Sequence, residues 1–252
     1  MSDALNLPPH GRLTCRKCFT SAAEIEEIEQ WQVVNDPSAW GAERPEILVL
    51  GFSKGFTQAT AFKSGAFEDI PFKSMRSRLT QALQRLGLLA TTETVQTKFS
   101  ATEQRFAFGS LVRCSLSRLN AKSGKRECTG QVMPKAFVEP VRKIVQRCAE
   151  TFLGRLPASV RLVIMLGSGD SYIDGCRKLI ATMTGQAFRP INEVAYHTPG
   201  VLWIHIAHPS GMNGYFNPWV AGAETDPSGR KLLQALSALA GIQGPALGTT
   251  VQ

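Results

Sequence analysis

Short, continuous apolar runs along the chain predict buried β-strands. Runs at residues 46–50 and 160–166 each end at a glycine, and further runs cover 106–112 and 201–207. Strands that are apolar on both faces are typical of a parallel sheet covered by helices on each side. Residues 194–196 precede the last run by a Thr-Pro-Gly turn, which indicates a hairpin or adjacent strands.

Apolar positions at helical spacing alternate with these strands. The predicted helices cover residues 22–34, 74–88, 136–156 (one long basic helix or a pair) and 172–183, with a last helix capped by Asp226 and ending near Leu239. The segment 35–45, rich in Pro and Trp, is expected to be a connecting loop.

Alternating strands and helices favour an α/β fold, with a central, mainly parallel, four-stranded sheet in a three-layer α/β/α arrangement. We expect a single domain over residues 1–240, followed by a flexible C-terminal tail at 241–252. Ligands of such sheets bind beyond the carboxyl ends of the strands. The loops after Leu50, Val112 and Ala207 should therefore hold the site.

The net charge and its distribution along the chain indicate which class of binding partner the protein has. The chain has 28 Lys and Arg against 20 Asp and Glu, a formal net charge of +8. Residues 101–161 contain 12 of the bases and 4 of the acids, so this segment carries the whole excess. A concentrated positive field favours a polyanion such as nucleic acid, although a solvated basic face is the plainer alternative.

Targeting signals are not recognisable. No apolar run approaches the roughly 18 residues of a membrane span, and the N-terminus lacks the pattern of a signal peptide. We therefore expect no membrane partner and a reducing, cytoplasmic location. In that compartment cysteines are thiols or metal ligands more often than disulfides.

A C-x2-C pair, Cys15 and Cys18, is ambiguous by itself among zinc, iron–sulfur and redox roles. No strand precedes the pair, which disfavours thioredoxin-type chemistry. A four-thiolate site needs two further ligands from the remaining cysteines, Cys114, Cys128, Cys148 and Cys176. Ligands so far apart suit an iron–sulfur cluster better than a zinc ribbon, while zinc or unrelated thiols remain alternatives.

The segment 204–214, IHIAHPSGMNG, delivers a histidine from an apolar strand into a tight polar turn. His208 can there donate a hydrogen bond to charge that develops on a ligand, or it can be a structural histidine. His205 is interpreted as a strand residue with a local partner. The turn 51–55, GFSKG, offers backbone amides to an anion or a base edge, and is a weak pattern.

Taken in order, several weak motifs resemble those of the uracil-DNA glycosylase superfamily, especially its iron–sulfur-containing, family 4-type members. The resemblance covers roughly residues 13–240. It is carried by the C-x2-C pair, the turn 51–55, Pro71-Phe72 before a helix, the segment 110–114, Cys148 before an apolar strand, and His208-Pro209-Ser210.

The resemblance implies a DNA repair enzyme that flips uracil out of DNA and hydrolyses its N-glycosidic bond, leaving an abasic site. It further implies a bacterial-type, nucleoid-associated monomer whose partner is uracil-containing DNA. Phe72 would stack on the base, His208 would bond the uracil oxygen that gains charge, and Met212 would enter the duplex as a wedge. Phe52, Ser110 and Asn213 would contact the base. The [4Fe–4S] cluster, or less readily zinc, would be held by Cys15, Cys18, Cys114 and Cys148, with Cys128 as an alternative to Cys148.

Two positions depart from the family pattern. The superfamily usually places a carboxylate or amide in the first turn to position the attacking water, whereas here Ser53 is the first candidate, with Glu68 and Asp69 as weaker ones. Ser110 stands where Asn is usual and cannot offer the same paired donor and acceptor. A non-catalytic iron–sulfur protein that binds nucleic acid is therefore an alternative, and an iron–sulfur redox or sensor protein is another.

Overall fold

The structure is a computed structural model that describes residues 6–20, 22–128, 130 and 132–241. The predicted flexible tail, apart from Gly241, lies outside the described residues. Within the described part no helix is long and apolar enough to cross a membrane.

Groups of strands are separated by helices along the chain. The strands are β1 (Gly11–Arg12), β2 (Ile25–Ile28), β3 (Trp31–Val34), β4 (Ser38–Gly41), β5 (Ile47–Gly51), β6 (Phe106–Ser110), β7 (Ser115–Leu119), β8 (Arg126–Glu127), β9 (Leu162–Leu166), β10 (Arg189–Pro190), β11 (Ala195–Thr198) and β12 (Val201–Ile206). The α-helices are α1 (Phe56–Ser64), α2 (Arg76–Arg85), α3 (Arg142–Leu153), α4 (Asp170–Thr184), α5 (Phe216–Ala221) and α6 (Pro227–Ala240).

The main sheet has eight strands in the order β1-β4-β6-β5-β9-β12-β11-β10. Its four middle strands, β6, β5, β9 and β12, run parallel and correspond to the four apolar runs of the sequence. The outer strands pair antiparallel, so the sheet is larger than the four strands expected.

One of the additional strands, β4, lies in the segment that was expected to be a loop. Trp40 pairs with Phe108 of β6, and Gly41 pairs with Ala107. Gly41 has a φ of 85°, and a Cβ there would lie 2.3 Å from the carbonyl oxygen of Phe106. Glycine at position 41 therefore allows β4 to lie close to β6. The hydrophobic periodicity of this Pro- and Trp-rich segment gives no sign of the pairing.

Alternate side chains of the parallel strands enter two separate cores. Ile47 and Val49 pack with apolar residues of α2, α5 and α6 on one face. Leu48 and Leu50 pack with residues of α3 and α4 on the other. The arrangement is a mixed α/β fold with helices against both faces of the sheet.

The prediction of a helix at residues 22–34 is wrong, because this segment forms the hairpin of β2 and β3. Glu29 turns the chain with a φ of 54°, and Trp31 and Val33 alternate inward in the strand period. The hairpin belongs to a second, antiparallel sheet in the order β2-β3-β7-β8. Pairing with β7, which is remote in sequence, outweighs the helical spacing of the isoleucines.

The remaining helix predictions differ mainly in length. The predicted segment 136–156 contains α3 alone, preceded by a short 3-10 turn at Met133–Phe137. Asp226 caps α6 as expected, because its carboxylate accepts hydrogen bonds from the backbone N–H groups of Ser228 (2.7 Å) and Gly229 (3.0 Å).

Candidate functional site

The carboxyl ends of the parallel strands bring the turns after β5, β6 and β12 to one edge of the main sheet. Gly51 at the end of β5 pairs in register with Ser110 at the end of β6. The two turns are then joined by hydrogen bonds from Leu111 N to Gly51 O (2.9 Å) and from Val112 N to Phe52 O (2.8 Å). This edge is where an open parallel sheet binds ligands.

Phe72 lies at this edge in an unusual backbone conformation. Its φ is 53°, a left-handed value that is uncommon for a bulky residue. A Cβ placed on Gly51 would lie 3.9 Å from Cε1 of Phe72, so the ring stands beside the turn after β5. The ring also stacks on Phe99 with centroids 6.0 Å apart. Strained backbone that is held by packing is often found at functional sites.

His208 follows β12 and is held as a neutral imidazole. Its Nδ1 accepts a hydrogen bond from the backbone N–H of Ser210 at 3.2 Å. Desolvation by burial lowers the pKa of His208 to about 4, so the ring is uncharged near neutral pH. With Nδ1 as acceptor, the ring proton sits on Nε2, and this N–H is the donor that His208 can present.

Hydrogen bonds within the loop fix the position of His208. The side chain of Asn213 donates from Nδ2 to the carbonyl of His208 (2.8 Å) and accepts from the backbone N–H of Tyr215 (3.1 Å). Arg78 of α2 donates to the carbonyl of Ser210 and to Oδ1 of Asn217. Asn213, predicted as a substrate contact, thus uses both ends of its amide inside the loop.

Two large side chains of the same loop project into solvent. Met212 is 95% exposed and Tyr215 is 72% exposed. The predicted wedge residue is therefore accessible to a partner.

Two predicted base contacts, Phe52 and Phe72, lie on opposite faces of the main sheet. Phe52 lies in the core of α3 and α4, with its ring centroid 5.8 Å from that of Phe137. Leu48 and Leu50 enter the same core, so Phe52 continues the strand alternation. Phe72 belongs to the opposite core, and the structure does not bring these two rings together. The two-residue alternation of side chains along β5, continued past Leu50, could have predicted that Phe52 enters this core.

Candidates for positioning water differ in their surroundings. Ser53 is partly exposed in the turn after β5. Glu68 pairs with His10 (3.5 Å), and Asp69 lies 4.0 Å from Arg76. Of the three, Ser53 alone belongs to the turn that meets Ser110, which is itself 6% exposed at the end of β6.

Four of the cysteines line a single pocket on the α3 side of the molecule. We call it the thiol pocket, and its cysteines are Cys15, Cys18, Cys114 and Cys148. Cys128 lies elsewhere, with its Sγ 3.7 Å from the place that a Cβ of Gly55 would take. Cys176 is fully buried near Tyr172.

The thiol pocket is strongly desolvated. Burial raises the pKa of Cys114 to about 12 and that of Cys148 to about 11. Among the described residues, no three His, Cys, Asp or Glu side chains form a group that could hold a metal ion. The four thiols thus surround a shared space without meeting at one point.

Buried charges connect the turn after β5 to Arg113, a residue of the thiol pocket, and sequence reasoning missed them. Lys54 is 2% exposed, pairs with Asp36 at 3.4 Å and donates to the carbonyl of Arg113. Asp36 also accepts from the backbone N–H (2.7 Å) and hydroxyl (2.6 Å) of Ser115. Arg113 is 1% exposed. A lysine in the short turn after a buried strand was the available signal.

Most of the basic excess faces solvent. Of the twelve bases in residues 101–161, eight are exposed: Lys122, Lys125, Lys135, Arg142, Lys143, Arg147, Arg155 and Arg161. Three more are partly exposed: Arg105, Arg118 and Arg126. Arg113 is the buried exception. The segment can therefore present positive charge to a polyanion.

Comparisons with known proteins identify no family. No protein-family model and no curated protein matches the chain. Among solved structures, wild-type SMUG2 of Pedobacter heparinus aligns with a TM-score of 0.41 and 10% sequence identity, over 89% of this chain and 94% of that one. A likeness this low carries no conclusion about function, so the site must be interpreted from its own residues.

Proposed function

We propose that the protein is a DNA glycosylase of the uracil-DNA glycosylase superfamily, of the iron–sulfur-containing type, which removes uracil from DNA. The observation that carries this proposal is the neutral His208, whose Nδ1 accepts from Ser210 N–H, so that the ring proton lies on Nε2 and can be donated from there. When the N-glycosidic bond breaks, the sugar becomes cationic and uracil leaves as an anion. A fixed donor aimed at such developing charge is the strongest single contribution that a site of this kind makes.

Phe72 and Met212 supply the steps before bond cleavage. A base inside a duplex must be flipped out, at a cost of a few kcal/mol. The ring of Phe72 would stack on the extruded base, a contact worth about 1–3 kcal/mol. Met212, which is 95% exposed, would fill the space that the base leaves.

The exposed bases of residues 101–161 supply affinity for DNA without selecting a base. Lys and Arg that neutralise phosphates release counterions, which favours binding at low salt. Selection of uracil is assigned to Phe72, His208 and Ser110. Ser53 is proposed to hold the attacking water, since the turn after β5 contains no carboxylate and Lys54 is turned inward to Asp36.

The thiol pocket fits a [4Fe–4S] cluster bound by Cys15, Cys18, Cys114 and Cys148. Tetrahedral zinc with Zn–S bonds near 2.3 Å requires sulfurs about 3.8 Å apart, whereas a four-iron cluster holds its thiolates more widely around a core. Four thiols that line one pocket supply the set of four cysteine ligands that such a cluster requires. When bound, the cluster would cross-link the N-terminal segment to the β6–β7 connection and α3.

The test is release of uracil from DNA by purified full-length protein. Duplex and single-stranded oligonucleotides with one uracil are incubated with excess protein, and abasic sites are cut with alkali. We expect cleavage at the uracil and none in a matched thymine oligonucleotide. Absence of abasic product at every protein concentration would reject the glycosylase proposal.

The alternative is a non-catalytic iron–sulfur protein that binds nucleic acid. It is favoured by one observation, that the turn after β5 presents Ser53 and a buried Lys54 in place of a carboxylate. This alternative predicts salt-dependent DNA binding with equal affinity for uracil and thymine duplexes and no abasic product. The same oligonucleotides in a binding titration distinguish the two.

A further inference from the structure

Arg113 is a buried cation with few partners. Its side chain is 1% exposed, and its Nη1 donates one long hydrogen bond, 3.4 Å, to the carbonyl of Ser38. Its Nε has no hydrogen-bond partner among the described residues. A guanidinium carries five N–H donors, and burying its charge is costly unless an anion compensates it.

The backbone makes room for this side chain. A Cβ at Gly109 would lie 1.8 Å from Nη1 and 2.6 Å from Cζ of Arg113. Any other residue at 109 would therefore displace the guanidinium from beneath the end of β6. Its Cζ lies 5.3 Å from the ring centre of Phe152, another residue that lines the thiol pocket.

The charges around Arg113 do not cancel. Lys54 is buried beside it and donates to its carbonyl, which makes two buried cations. Asp36 is the buried carboxylate nearby, and its oxygens are shared among Lys54 and the backbone and hydroxyl of Ser115. Two buried basic side chains thus stand against one buried carboxylate, and Arg113 is the one that lines the thiol pocket.

Arg113 also contacts the pocket directly. Its backbone N–H donates to Sγ of Cys148 at 3.2 Å, and Arg113 lines the pocket together with all four cysteines. An N–H group aimed at a sulfur and a fixed cation both stabilise negative charge on that sulfur.

We propose that Arg113 and Lys54 form a buried cationic layer that compensates the negative charge of a metal–thiolate centre in the thiol pocket and raises its reduction potential. The proposal rests on the proposed iron–sulfur cluster. An iron–sulfur core held by four thiolates is anionic, and reduction adds a further negative charge. Nearby buried cations favour the reduced form, because charges in a water-poor interior are weakly screened. Both are positioning residues, since neither ligates the metal.

The experiment measures the cluster, independent of any DNA reaction. The variants are Arg113→Met and Lys54→Met, which remove a charge, Arg113→Lys, which keeps it, and Asp36→Asn, which removes the buried carboxylate. Arg118→Met, a partly exposed arginine on β7, is the matched control. Each purified protein is examined for iron, for absorbance near 400 nm, for midpoint potential and for the rate of iron loss to a chelator.

We expect Arg113→Met and Lys54→Met to shift the midpoint potential to more negative values and to lose iron several-fold faster than wild type. Asp36→Asn should shift the potential in the opposite direction, a change of sign that general loosening of the fold would not produce. Arg113→Lys and Arg118→Met should remain near wild type.

Unchanged potentials in iron-loaded Arg113→Met and Lys54→Met would overturn the inference while leaving the cluster in place. If one of these two variants fails to fold, the other decides. Wild-type protein without iron or absorbance near 400 nm would reject the cluster, and the cationic layer with it. Activity on uracil-containing DNA is a separate readout and bears on the proposed reaction alone.

Discussion

The sheet edge at His208 and the thiol pocket differ in the charge of their buried side chains. At the edge, His208 is kept neutral by desolvation and its loop is held by an amide and backbone groups. In the pocket region, Lys54, Arg113 and Asp36 are charged groups buried beside four thiols. A site where charge appears briefly on a substrate needs oriented neutral donors, whereas a permanent anionic centre needs fixed countercharge.

The largest effect is expected from removing the neutral donor. His208→Ala should slow uracil release by about 10²–10³-fold under single-turnover conditions, because a donor to the developing anion is lost. His197→Ala is the control, since His197 is a partly buried histidine of β11 that bonds the carbonyl of Val201 at 3.3 Å. Full activity in His208→Ala would contradict the assigned role of the histidine while leaving the reaction itself established.

The thiol pocket is tested by a pair of buried cysteines. Cys148→Ser should lose most of the iron and absorbance near 400 nm, because a ligand is removed. Each kcal/mol of stabilisation that is lost with the ligand would lower Tm by about 2–4 °C in a chain of this size. Cys176→Ser is the control, because Cys176 is also buried and is not among the residues that line the pocket. Equal iron in both variants would show that Cys148 is no ligand.

The sequence predicts the centre of the main sheet well and its surroundings poorly. Continuous apolar runs predict β5, β6, β9 and β12, because burial on both faces leaves a local signature. The β2–β3 hairpin has no such signature, since its isoleucines also fit a helix and its partner β7 lies far along the chain. Outer strands such as β4 depend on backbone pairing, which composition does not encode.

The candidate site is likewise predicted from the sequence only in part. Local motifs predict His208 and the cysteines, and the structure places each group at one location, the histidine at the sheet edge and four thiols in one pocket. The burial of Lys54 and Arg113 is not found from the sequence, because charged residues are expected at the surface. Their burial is a property of tertiary packing, including the missing side chain of Gly109.

Backbone strain is a second difference between the regions, and its test has the smallest expected effect. Phe72, at the sheet edge, has a φ of 53°, a conformation that costs an L-residue about 1–2 kcal/mol and costs glycine little. Phe72→Ala and Phe72→Gly both remove the ring, and both should weaken the proposed base stacking. The glycine variant should nevertheless be more stable by about 1 kcal/mol in urea unfolding, because the strain is relieved.

At Ser77, an exposed position of α2, the order should reverse, with alanine more stable than glycine by about 1 kcal/mol. If alanine were the more stable residue at both positions, Phe72 would hold no strain, and the edge would differ from the pocket in charge alone.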